Sequence, residues 1–155
     1  MSFVRAPYME WAKMRPRAEW DLAGSSVLAC PVDDLPGARD VIELAGPNDD
    51  GYAPLVEAIA ERHGVTPDCV ATATGTSGAN FLVCAALLGA ADDVLVEWPG
   101  YDPLLAAPRL LGAHIVRFDR RFEDGYRLDP DEVRAAITRK TRLVIITNTH
   151  NPSGV

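Results

Sequence analysis

An aliphatic run that ends abruptly constrains this chain more than any other feature. Residues 143–147, Leu-Val-Ile-Ile-Thr, have strand character and lead within three residues into His150-Asn151-Pro152-Ser153-Gly154. A run that is apolar without alternation is what a parallel strand buried on both faces looks like. In α/β proteins ligands sit just beyond the carboxyl ends of such strands. Asn151 is therefore expected at a strand tip, presenting a short amide toward a ligand, before Pro152 and Gly154 turn the chain.

The rest of the sequence supplies the alternation that such a sheet needs. Leu55, Ile59 and the alanines between them form a stripe of helical period that stops at His63-Gly64. A short strand is expected over 69–74, an apolar helix over 77–88 and a buried strand over 94–97. A helix with proline in its first turn follows over 103–111, then a strand over 114–118. Asp129-Pro130-Asp131-Glu132 places acid and proline where a helix begins. Helices alternating with strands argue for an α/β fold with a mostly parallel sheet. Residues 1–48 read as a mixed arm: one or two helical turns over 8–14, a short strand over 25–31 and a turn over 33–37.

Composition removes several classes of function. A net charge of −7 lacks the basic footprint that nucleic acid or an anionic membrane requires. No apolar stretch approaches a bilayer span, and the first residues lack the apolar core of a secretion signal. Cys30, Cys69 and Cys84 are odd in number and show no metal or redox spacing; Cys69 and Cys84 read as buried structural thiols in a reducing cytoplasm. His63, His114 and His150 show no ligand spacing and read as structural or surface residues. Arg120-Arg121 and Asp92-Asp93 read as solvated charges.

Gly75-Thr76-Ser77-Gly78 falls between a strand and a helix, where free backbone N–H groups and the helix dipole suit a phosphate. A helix cap is the other reading, since Ser and Thr cap helices in any fold. Neither a Walker A loop nor Gly-x-Gly-x-x-Gly is present. Tyr101, after Pro99-Gly100 at a strand end, suits either a ring-facing position or the core.

Taken in order, these segments resemble the class I/II aminotransferases of the fold-type-I pyridoxal-phosphate superfamily. The resemblance covers residues 40–155 and rests on four marks. They are Gly51-x-x-x-Leu55 opening its helix, the Gly75-Thr76-Ser77-Gly78 turn, Pro99-x-Tyr101, and Asn151-Pro152-Ser153-Gly154. It implies a three-layer α/β/α large domain, of which 49–155 would be the first part, preceded by an arm over 1–48. It implies pyridoxal 5′-phosphate held by Gly75, Thr76 and Ser77 at its phosphate, with Tyr101 on its ring face and Asn151 on its 3-oxygen. Gly24 and Ser25 would fall near the substrate carboxylate. Tyr52 is a weaker match, because the family's phosphate-touching tyrosine lies at the place Gly46 occupies here. Trp98–Pro99 is expected cis, and Asn151–Pro152 cis in a longer parent.

The implied activity is transfer of an amino group from an amino acid to a 2-oxo acid, in a cytoplasmic homodimer. A carbon–sulfur lyase or a decarboxylase of the same superfamily, and a non-catalytic fragment, are the alternatives. The family's Schiff-base lysine has no counterpart: the only lysines are Lys13 and Lys140, in unrelated contexts. The chain therefore reads as a truncated, singly inactive portion with exposed apolar edges.

Overall fold

The computed structural model of the protein describes residues 5–16, 18–21, 28–43, 45–46 and 50–155. Three strands form one parallel sheet: β1 (Asp93–Trp98), β2 (His114–Asp119) and β3 (Thr141–Ile145), in the order β2-β1-β3. β1 is the central strand and the most buried. Val94, Leu95 and Val96 are completely buried, and fully burying an aliphatic side chain of this size contributes about 1.5–3 kcal/mol. Residues 94–96 pair with 115–117 on one side and 143–145 on the other.

Helices connect these strands, and α1 (Pro7–Met14) precedes them. α4 (Gly75–Leu87) leads into β1, α5 (Pro103–Leu110) joins β1 to β2, and α6 (Pro130–Ala136) joins β2 to β3. α6 is capped as its sequence requires, with the Asp129 carboxylate accepting the Asp131 N–H at 2.8 Å. α5 lays Leu104, Leu105 and Pro108 against the sheet. From Phe81 onward α4 is apolar on every side yet buries only Cys84, leaving Phe81, Leu82, Val83 and Leu87 exposed. Among the described residues no helix is long and apolar enough to cross a membrane.

Two units divide the chain: Pro16–Thr72, and the N-terminal residues up to Arg15 together with Ala73–Val155, which hold the sheet. Within the former lie α2 (Ala38–Val41) and α3 (Ala53–His63), the latter closed by Gly64 as its sequence suggests.

Several expectations need correction. Residues 69–74 form no strand: a 3₁₀ turn over Pro67–Cys69 is followed by extended chain without a ladder partner among the described residues. Extended backbone becomes a strand only where a neighbour supplies the matching donors and acceptors. Cys69 is exposed on that turn, as is Cys30, and only Cys84 is a buried thiol. The last strand spans 141–145 rather than 143–147, because the Thr147 N–H turns to a side chain instead of the ladder. The proposed strand over 25–31 and the substrate-site candidates Gly24 and Ser25 fall largely or wholly outside the described residues; residues 28–31 are not strand.

Candidate functional site

In a parallel sheet every strand delivers its following loop to one edge, and that edge collects the residues singled out by sequence. Tyr101 follows β1 by three residues and Asn151 follows β3 by six, on neighbouring strands. α4 runs against them. Its last residue, Leu87, accepts the Arg142 Nε–H at 3.3 Å, near the amino end of β3, whereas Asn80 lines a cavity with Ile146 at the carboxyl end. Thirteen residues at about 1.5 Å each carry the helix roughly 20 Å, the depth of the sheet. Gly75, Thr76 and Ser77 therefore lie at the same edge as Tyr101 and Asn151.

The start of α4 is open. Gly75 has φ +70°, and a Cβ there would meet nothing within 4 Å, so the chain turns left-handed beside free space. Thr74, at the capping position, makes no side-chain bond to the first-turn N–H groups. Thr76 and Ser77 are exposed, and their hydroxyls find no hydrogen-bond partner among the described residues. These groups are not spent on capping. First-turn N–H groups, the positive end of the helix dipole and two hydroxyls are gathered in the first turn of one helix, a set of donors that fits a phosphate.

After β1 the chain passes through the cis bond Trp98–Pro99. At Gly100 a Cβ would come within 2.7 Å of the Glu97 carbonyl oxygen, so only glycine fits the turn that delivers Tyr101. The half-buried Tyr101 meets Tyr8 of α1 edge to face at 5.9 Å, and its hydroxyl donates to Met9 Sδ at 3.2 Å. Asp102 accepts the Tyr8 N–H at 3.2 Å, so the first helix of the same chain props the Tyr101 loop. After β3, Asn151 is exposed, its N–H donating to Thr147 Oγ1 at 3.1 Å; Asn151–Pro152 is trans here, while Asn148–Thr149 is cis. Tyr52 belongs to the other unit, exposed at the start of α3, where its carbonyl accepts the Leu55 and Val56 N–H groups.

Beneath these loops lies a buried polar network that reading the sequence missed. Glu97, wholly inaccessible, accepts from Arg120 Nη1 at 3.0 Å and from the Thr147 N–H at 2.8 Å and hydroxyl. Arg120 is 6% exposed, not solvated; its Nε donates to the Tyr126 carbonyl at 2.6 Å. Asp93 is likewise buried, bonded to His114 and Thr138, which explains why the second acid of Asp92-Asp93 is not a surface charge. His150 is fully buried, with both ring nitrogens bonded. The available signal was Glu97 itself, since an acid inside an aliphatic run needs buried donors.

Known proteins resemble this chain over most of its length. Residues 43–155 match the family described as aminotransferase class I and II. An arginine–pyruvate transaminase of Pseudomonas aeruginosa is 36% identical over 110 residues, covering 67% of this chain and 28% of that protein. Capreomycidine synthase of Streptomyces vinaceus is 34% identical over 161 aligned residues, covering 96% of this chain and 41% of that protein. The solved alanine aminotransferase from Pyrococcus furiosus superposes with a TM-score of 0.69 at 28% identity, over 77% of this chain and 32% of that one. The chain thus spans about a third of the length of the proteins it matches.

Proposed function

This chain belongs to the class I and II aminotransferase family, and from that premise we propose that it forms part of a pyridoxal 5′-phosphate site. The protein it serves would move an amino group from an amino acid to a 2-oxo acid. Residues 49–155 act as the first part of the cofactor domain. Gly75, Thr76 and Ser77 hold the phosphate through N–H and hydroxyl donors. Tyr101 sets its ring against the pyridine face, a contact favoured by dispersion and ring electrostatics. Asn151 offers its side-chain amide to the 3-oxygen. When bound, pyridoxal phosphate supplies an electron sink for charge developing at the substrate's α-carbon.

What supports this reading is the convergence of all five residues on one carboxyl edge of a parallel sheet, with the start of α4 left uncapped. The proton-shuttling lysine is not among these residues. Lys13 is exposed on α1, and the carbonyl of Lys140 accepts the Asp93 N–H at the opposite, amino edge of the sheet. The similarity to capreomycidine synthase across nearly the whole chain favours a second reading: a reaction other than amino-group transfer. A homodimer and a cytoplasmic location go with the family reading.

Titrating the chain with pyridoxal 5′-phosphate, followed by absorbance, tests the site. A hydrogen bond to a charged group is worth about 1.5–3 kcal/mol, and 1.4 kcal/mol is tenfold in affinity. The double substitution Thr76→Ala, Ser77→Ala is therefore expected to weaken binding by at least about tenfold. Unchanged affinity in that variant would place the phosphate elsewhere.

A further inference from the structure

His150 stands next to Asn151, yet its ring is 1% exposed, as inaccessible as the aliphatic centre of β1. The ring bridges two loops. Nε2 lies 2.9 Å from the carbonyl oxygen of Pro99, in the turn that leads to Tyr101. A carbonyl only accepts, so Nε2 carries the hydrogen. Nδ1 lies 2.6 Å from Ser153 Oγ; with the hydrogen of the neutral ring on Nε2, Nδ1 accepts from the serine hydroxyl, whose oxygen also takes the Val155 N–H at 3.4 Å. Main-chain bonds from His150 N to the Val155 carbonyl and from Gly154 N to the His150 carbonyl, both 2.7 Å, close the loop around the residue.

The ring is also tied to the deeper network. Tyr126 packs on it at 5.8 Å, and the Tyr126 carbonyl receives Arg120 Nε. Arg120 holds Glu97, Glu97 holds Thr147, and Thr147 accepts the Asn151 N–H. A buried polar network whose members all find partners is rigid, because breaking any bond strands a desolvated group.

We propose that His150 is a positioning residue, a buried strut whose Nε2–H bond to the Pro99 carbonyl sets the Tyr101 loop against the Asn151 loop. The proposal rests on the cofactor reading given above. His150 touches no ligand; it makes the ring-face contact of Tyr101 and the amide contact of Asn151 achievable at the same time. The phosphate cradle belongs to α4 and does not depend on the strut. Loss of the strut is therefore expected to cost affinity for pyridoxal phosphate while sparing inorganic phosphate.

Glutamine can place a donor near the position of Nε2, whereas asparagine is too short to reach the Pro99 carbonyl. His150→Asn, His150→Gln and the unsubstituted chain are titrated with pyridoxal 5′-phosphate and, separately, with inorganic phosphate. The expected result is a loss of about tenfold or more in pyridoxal phosphate affinity for His150→Asn, the size typical of groups that orient ligands around metal sites. His150→Gln restores most of that affinity, and phosphate binding is equal in all three. Equal pyridoxal phosphate affinity in His150→Asn, or parallel loss of both ligands, overturns the proposal while leaving the site reading in place. Failure of the unsubstituted chain to bind either ligand overturns the site reading and the strut with it. If His150→Asn does not fold, long-range ¹H–¹⁵N spectra of the unsubstituted chain decide: hydrogen on Nε2 supports the strut, and hydrogen on Nδ1 overturns it.

Discussion

Replacing Arg120 with methionine strands the Glu97 carboxylate in the interior. Glu97 has no exposure and Arg120 only 6%, so neither charge is relieved by solvent when the other is removed. Breaking a buried ion pair from one side costs about 3–5 kcal/mol. Glu97 keeps the two donors of Thr147, which places the expected loss at the lower end, about 3 kcal/mol. For urea slopes of about 1–3 kcal/mol per molar, that lowers the unfolding midpoint by roughly 1–3 M. Adding Glu97→Gln to Arg120→Met removes the stranded charge, and the double-mutant cycle should return a coupling within the range of about 0.5–3 kcal/mol seen for contacting residues. Unfolding followed by circular dichroism measures each term. A loss below about 1 kcal/mol for Arg120→Met, the value of an exposed pair, would refute the reasoning.

Thiol chemistry and lysine chemistry give three further outcomes. Cys30 and Cys69 should react quickly with an alkylating reagent and Cys84 only on unfolding, as counted by mass spectrometry. Burial raises the Cys84 pKa above the ordinary thiol value of 9.0, so its contribution to stability is complete below that value and is lost as pH rises through the raised one; stability that climbs with pH above 9.0 would contradict this. Borohydride reduction of the chain with pyridoxal 5′-phosphate should leave no single stoichiometrically labelled lysine, and one such site at Lys13 or Lys140 on peptide mapping would contradict the placement of both away from the candidate site.

Much of the sheet and its helices was legible because those signals are local. The aliphatic runs around Val94 and Leu143, the proline opening α5 and the acid-proline start of α6 all specify their elements through neighbours in sequence. The Gly75 turn, Tyr101 and Asn151 were legible for the same reason, since each sits where a regular element ends. Glu97, Arg120 and Thr147 were not, because their partnership depends on strand order: 23 residues separate Glu97 from Arg120 and 50 separate it from Thr147. Arg120 beside Arg121 looks like surface charge until β2 is laid next to β1, which turns one arginine inward and leaves the other paired with Glu132 on the outside. Residues 69–74 failed in the opposite way, having local strand character but no neighbour among the described residues to complete it.

The central claim is that the start of α4 and the loops after β1 and β3 form one binding site. Backbone ¹H–¹⁵N spectra of the chain during a pyridoxal 5′-phosphate titration test it most directly. The account predicts that Gly75, Thr76, Ser77, Tyr101 and Asn151 shift together and saturate with a single dissociation constant. Shifts confined to other residues, or Tyr101 and Asn151 unmoved while Gly75, Thr76 and Ser77 saturate, would contradict it.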